Sequence, residues 1–339
     1  MTSRELVVKT LNHESVPRVP RDLWLPAGEG SIRAEELAEI HIRYPSDLVQ
    51  PEIAPLHAKK TPKHDKSGDF ADAWGCVWHV ASPGAAPELK SSPLAEAGRL
   101  TSFQPPAELL DRARFAKVNK SCQATSRFVL AWSEVRPFDR LRALRGPDAA
   151  LVDLARSSKD TRALLAALHE TACKELELWA ATDVDGVMFR DDWGADDGLL
   201  IAAEMWREIF RPLYHDYCDI LHAKDKFVFF RSAGNILDIS GDLVKLGIDA
   251  IHWSLQQMDV ERLAKRYRGR VTFWGGVDPR ALQNPGSPEQ FRESVLAVRR
   301  ALDFGGGGVI AQCQWDPGVR VQTIASLFEQ WLTPLPMRA

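Results

Sequence analysis

The sequence predicts a (β/α)8 barrel, and three observations carry that expectation. Short apolar runs of β-type residues alternate with segments of helical periodicity through the second half of the chain. Residues 227–230, Phe-Val-Phe-Phe, are apolar at every position, as a strand covered on both faces must be, and the run stops abruptly at Arg231. A length of 339 residues suits one large barrel as well as two ordinary domains. Repeated strand–helix alternation dictates parallel strands with crossover helices, and a single barrel is the economical solution.

The elements follow in order. Early strands are expected over 19–25 and 128–132. A strand over 184–189 leads to a helix over 202–221, where Trp206, Phe210 and Tyr214 have the spacing of a core-facing stripe. Next come a strand at 227–230, a helix at 236–245, a strand at 250–253 and a helix at 260–267. Strand 271–274, helix 288–304 and strand 309–311 complete the alternation. Residues 51–106 break every period and are rich in Pro, Lys, Gly and Ser. They read as an elaborated insertion near the barrel mouth, with a short hairpin around 74–80. The four glycines 305–308 precede a strand instead of opening a helix, so a turn is the better reading than a phosphate loop.

Composition narrows the function. A hydrophobic content of 45% supports a sizeable core, and a formal charge of −3 with no clustered Lys and Arg gives no case for nucleic acid. No apolar run approaches the length of a bilayer span, and the first residues are too polar for a secretory h-region. Cys76, Cys122, Cys173, Cys218 and Cys313 are dispersed, odd in number and without a CxxC pair. That pattern suits free thiols in a reducing cytoplasm.

Barrels display their chemistry at the carboxyl ends of strands, so the strand-end residues are the candidates. Arg231 cannot lose its proton and must meet an anion or a carbonyl. It reads as a clamp for a substrate carboxylate or phenolate, against the plainer alternative of an ion pair with Asp191 or Asp192. Strand alternation turns one of those two aspartates inward, as acid, base, cation holder or metal ligand. The plain alternative is a helix N-cap for the segment near Gly194. Arg21, Trp24, Arg190, Trp253, Gln256, Trp274, Asp278, Gln312, Gln314 and Trp315 gather at expected strand ends, a set suited to a planar, moderately polar substrate. Cys313 is open between a soft metal ligand, a reactive thiol and a buried small residue. Cys76 and His79 form a Cys-x-x-His pair without partners, and with Trp74 and Trp78 read as packing or as an aromatic pocket wall.

Several blocks together resemble the uroporphyrinogen decarboxylase superfamily, which holds the haem-pathway decarboxylase and methyltransferases that work with corrinoid proteins. They are Arg4-Glu5 through Arg18-Val19-Pro20, Asp72-Ala73-Trp74-Gly75, Phe138-Asp139-Arg140-Leu141, Asp191-Asp192-Trp193-Gly194, Gly234-Asn235-Ile236 and Phe273-Trp274-Gly275-Gly276-Val277-Asp278. The resemblance runs over most of the chain and implies one barrel over residues 1–339, with 51–106 as its insertion. In the zinc methyltransferases the strand before Gly234 commonly ends His-x-Cys-Gly-Asn, and its His and Cys bind zinc. Here Arg231 and Ala233 stand at those positions, whereas Cys313 matches the last zinc cysteine. The Arg-Gln-Ala-Gly-Arg-Tyr motif and the late Gly-His-Gly segment of the haem-pathway enzymes are both absent.

What the resemblance implies is an enzyme of the methyltransferase-like branch, with a corrinoid carried by a partner protein and the zinc site in doubt. An aromatic methyl ether or a similar methylated small molecule is the expected donor, and Arg231 with Asp191 or Asp192 would assist the departing oxygen. A cofactor-free decarboxylase of an aromatic or pyrrole-type carboxylate is the alternative, with Arg21, Arg190 and Arg231 holding carboxylates. A barrel that only binds a ligand stands third.

Overall fold

The computed structural model describes residues 1–25, 32–56, 67–82, 85–275 and 279–332. Eleven strands occur among them: β1 Arg21–Trp24, β2 Leu48–Val49, β3 Gly68–Ala71, β4 Val77–Val80, β5 Glu88–Ser91, β6 Phe128–Trp132, β7 Gly186–Arg190, β8 Phe227–Arg231, β9 Ala250–His252, β10 Thr272–Trp274 and β11 Val309–Gln314. Eight of these form one sheet in the order β1-β11-β10-β9-β8-β7-β6-β2, and every pairing in it is parallel. Helices occupy the crossovers, so the fold is the expected (β/α)8 barrel. Asp47 bridges the seam between β1 and β2: its N–H donates to Arg21 O at 2.8 Å, and its Oδ2 accepts from Arg21 N at 2.8 Å.

Alternation along the strands sorts the core into two parts. Leu48, Phe128, Leu130, Met188, Phe229, Ala250, Trp274 and Ile310 fill the barrel interior and are sealed below by Val7 and Leu11 of the helix Ser3–Leu11. The opposite strand faces, with Val187, Phe189, Val228, Phe230, Ile251 and Phe273, pack against the surrounding helices in the larger cluster. Trp206, Phe210 and Tyr214 are fully buried there.

Three elements depart from the sequence expectation. The helix at 202–221 is two helices, Ala203–Ile209 and Arg211–His222, because Pro212 in the first turn of the second lacks the N–H needed to continue the first. The last strand runs on to Gln314, since pairing with β1 persists through Trp24↔Gln314 after the apolar run has ended. The insertion holds a three-stranded antiparallel sheet β3-β4-β5 instead of a lone hairpin.

The Asp72–Arg140 pair ties that sheet to the barrel. Asp72 accepts from Trp74 N and Cys76 N, both at 2.9 Å, and from Trp78 Nε1 at 3.0 Å. Its second oxygen meets buried Arg140, on the helix Pro137–Arg145 that follows β6, at 3.2 Å. The Arg140 guanidinium lies 4.1 Å over the Trp74 ring. Two of the motif blocks thus meet in space.

Candidate functional site

The inward positions nearest the carboxyl ends of the strands are Trp24, Trp132, Arg190, Arg231, His252, Gln312 and Gln314. Arg231, His252, Gln312 and Gln314 line a cavity of about 370 Å³, closed on one side by the turns Gly194–Asp196 and Ala233–Gly234. Those turns touch backbone to backbone: Gly234 has φ +76°, and a Cβ there would lie 2.0 Å from Gly194 O. Only glycine permits that approach.

Arg231 ends β8 directly beside Arg190, which ends β7, and the two are register partners. Among the described residues neither guanidinium has an ion-pair or hydrogen-bond partner, and Arg231 Nε is buried without one. Arg231 lies 5.6 Å over the Trp24 ring. Burial, with Arg136 and Arg231 close by, lowers the pKa of Arg190 from its ordinary value.

Aromatic groups pack beside Arg231 and His252. Trp24 stacks on His252 at 5.3 Å and 15°, and meets Trp132 and Trp274 edge-on, each at 5.1 Å. Asp22, one layer below, sets these rings: its Oδ2 accepts from Trp24 Nε1 and from Trp274 Nε1, both at 2.8 Å. Burial pushes the Asp22 carboxyl up to about 6, against the pull of the two indole donors. His252 contacts Gln312 Oε1 through Nε2 at 3.0 Å. Burial first, and then the Arg231 charge, drop the imidazole to about 4, so it is neutral at physiological pH.

Other candidate residues have partners of their own. Asp191 is fully buried and faces the helices, where it accepts from Phe138 N at 2.9 Å, Asp139 N at 2.7 Å and Tyr214 Oη at 2.9 Å. It therefore serves the N-terminus of the helix Pro137–Arg145, not the segment near Gly194. Asp192 accepts from Ala233 N at 2.8 Å, and its own N–H donates to Asp139 Oδ2 at 3.1 Å. No ion pair joins either aspartate to Arg231, but the Asp192 charge is close enough to act on Arg190 and His252.

Arg21 begins β1, on the strand face opposite Asp22 and Trp24, where burial beside Arg18 lowers its pKa. It is remote from Arg190 and Arg231, at the opposite end of the strands. Trp253 donates to Ser240 Oγ at 3.2 Å, and Trp315 donates to Val319 O at 2.9 Å. Both indoles are held in packing, Trp253 where it borders the cavity. Gln314 donates to Asp316 Oδ1 at 2.6 Å on the cavity rim. Asp278 and the Gln256 side chain lie outside the described residues. In the insertion, His79 pairs with Asp69 on the surface, whereas Trp74 and buried Cys76 pack beside Asp72.

Sequence reasoning passes over Asp22, Trp132 and His252. The single signal for them is the two-residue period: once Arg231 is inward, its register partner His252 is inward too, as are Asp22 with Trp24.

The donor set does not fit a zinc ion. Arg231 cannot deprotonate to bind a cation, Ala233 has no donor atom, and Cys313, which borders the cavity, is buried with its thiol pKa raised. Among the described residues no group of three or more His, Cys, Asp or Glu is placed to hold a metal. Nor is any helix among them long and apolar enough to cross a membrane.

Comparison with known proteins agrees with the architecture. A methyltransferase from Methanosarcina mazei superposes with a TM-score of 0.66 at 14% identity, covering 98% of this chain and 98% of that one. An E. coli 3-keto-D-glucoside 4-epimerase reaches a TM-score of 0.41 at 13% identity, over 65% of this chain and 86% of its own. No curated protein matches the sequence. The sequence profile described as Uroporphyrinogen decarboxylase (URO-D) matches residues 70–330, more than three quarters of the chain, and with the barrel and its motif blocks in place the chain belongs to the uroporphyrinogen decarboxylase family.

Proposed function

We propose that this protein is a methyltransferase that binds a small, planar, anionic methyl donor in the mouth of its barrel and passes the methyl group to a corrinoid carried by a partner protein. One observation carries the substrate half of this reading: two adjacent guanidiniums, without carboxylate partners, beside a wall of indoles. The kinship with the family and the likeness in fold to a methyltransferase support the reaction half.

The chain's own residues would do three things. Trp24 and Trp132 would take the face and edge of the ring. Arg190 and Arg231 would hold its anionic group. When the methyl carbon–oxygen bond breaks, negative charge grows on the departing oxygen, and a guanidinium fixed in a dry pocket stabilises it without reorganising. That role falls to Arg231, which stands at the zinc-ligand position of related enzymes.

Mixing the protein with a Co(I) corrinoid protein and methoxylated aromatic acids tests the reading. The expected result is a methyl-Co(III) spectrum that is lost in Arg231→Ala. Failure with every donor would end the methyl-transfer proposal. The same guanidinium pair also favours a second reading, decarboxylation of an aromatic carboxylate. Carbon dioxide released in the absence of corrinoid would decide for it.

A further inference from the structure

Three buried polar atoms around the cavity have no hydrogen-bond partner: Arg231 Nε, His252 Nδ1 and Gln312 Nε2. All three residues line the same cavity, and Arg231 and His252 are register partners on adjacent strands. Buried polar atoms in folded proteins are almost always paired, so three orphans at one place mark a site built for something else. Each unmade bond costs stability, and a ligand that makes them recovers it.

The chemistry of the missing group follows from the atoms. Gln312 Oε1 can only accept, so His252 Nε2 carries the ring proton in their 3.0 Å contact. The imidazole is neutral, so Nδ1 is a bare lone pair and requires a donor. Gly275 and Gln312 occupy the Nε2–Cδ2 side of the ring, which leaves Nδ1 on the other side. Gln312 Nε2 requires an acceptor. A hydroxyl satisfies both, donating to the imidazole and accepting from the amide.

We infer that His252 and Gln312 form a second recognition element, one that reads a free O–H or N–H carried on the same small molecule as the anion held by Arg231. The inference rests on the anion reading proposed above. It narrows the substrate class to hydroxylated or aminated planar acids. His252 is here a binding and specificity residue that donates no proton. Stacking on Trp24 fixes its ring plane, so the Nδ1 lone pair has one direction.

Calorimetric titration of benzoate and of 2-, 3- and 4-hydroxybenzoate into the full chain tests this. At least one hydroxybenzoate should bind the wild type about tenfold more tightly than benzoate, the discrimination expected when one buried hydrogen bond is gained. His252→Phe should erase that preference, so that benzoate and the hydroxybenzoate bind with equal affinity. His252→Gln, whose amide oxygen can accept, should restore part of it. A second measurement needs no altered protein in the binding step. In 15N-histidine-labelled wild type, the ring signal that is missing from His252→Gln should show an unprotonated Nδ1, and that nitrogen should shift when the hydroxybenzoate binds.

Preference that survives His252→Phe, or an Nδ1 that does not respond, overturns the inference and leaves the anion site standing. Benzoate binding that is unchanged in Arg231→Gln overturns the anion site instead. A wild type that binds none of the four acids overturns both.

Discussion

Arg190 and Arg231 are register partners at the ends of adjacent parallel strands, and neither meets a carboxylate. Two cations held side by side in a partly desolvated mouth repel each other and lose hydration, and the charges of Glu134 and Asp192 offset part of this at Arg190 without forming an ion pair. If the proposed anion occupies this pair, its binding recovers what the pair costs the free protein.

The consequence is a trade between stability and binding. Arg190→Gln and Arg231→Gln should each leave the urea midpoint unchanged or raise stability by about 0.5–2 kcal/mol, while weakening benzoate binding about tenfold or more. Arg231→Lys keeps the charge but not the planar fork, and should fall between wild type and Gln in affinity. Clear destabilisation by either Gln variant would mean that the guanidiniums serve the fold.

Asp191 should behave in the opposite way. Its two oxygens take three donors, two of them the backbone N–H groups of Phe138 and Asp139 at a helix start. Asp191→Ala strips all three and should cost about 2–4 kcal/mol in urea denaturation, the sum of a lost cap and buried donors left unpaired. Tyr214→Phe removes one donor and should cost about 1 kcal/mol. A stable Asp191→Ala that had lost only turnover would return this residue to the chemistry.

The barrel is legible in the sequence because its signals are local. Phe227 to Phe230 is apolar at every position, and each crossover helix carries its own stripe. Arg231 is legible for the same reason: it follows its strand without a gap. Asp191 is not, because the N–H groups it caps lie 53 and 52 residues earlier, and no spacing along the chain records that meeting. Nor does the sequence separate the Arg21 end of β1 from its Trp24 end, which lie at opposite ends and on opposite faces of the strand. His252 is invisible for a different reason. A lone histidine between Ile251 and Trp253 has no partner pattern until β8 and β11 bring Arg231 and Gln312 beside it.

Glu175 gives stability a pH dependence of known sign. It is buried on the helix Lys159–Ala180, and a single oxygen accepts from Glu134 N at 2.9 Å and Trp179 Nε1 at 3.3 Å. Burial raises its carboxyl from 4.5 to about 7, so the folded chain holds a proton there that the unfolded chain has released. Stability from this proton is fully present below about pH 4.5 and is lost as pH rises through about 7. Glu175→Gln should flatten the profile between pH 5 and 8, gaining up to about 3 kcal/mol relative to wild type at the alkaline end. Parallel profiles for the two proteins would show that Glu175 is ionised throughout.

Asp22 links the barrel interior to the recognition wall, and its removal should be felt in both. Both indole donors converge on one oxygen at 2.8 Å, one from Trp24 at the mouth and one from Trp274 in the packed layer. Asp22→Leu fills much of the same space but leaves two buried N–H groups without acceptors, at a cost of about 2–4 kcal/mol in urea denaturation. Asp22→Asn retains an accepting oxygen and should lose less than half as much. Ligand binding separates the orienting role from simple packing. Trp24 is the surface shared by Arg231 at 5.6 Å and His252 at 5.3 Å, so a freed indole disturbs both recognition groups together. Benzoate affinity and the preference for a hydroxybenzoate should therefore fall in Asp22→Leu at temperatures where the chain is still folded. Unchanged affinity in a folded Asp22→Leu would show that packing alone holds Trp24 in place.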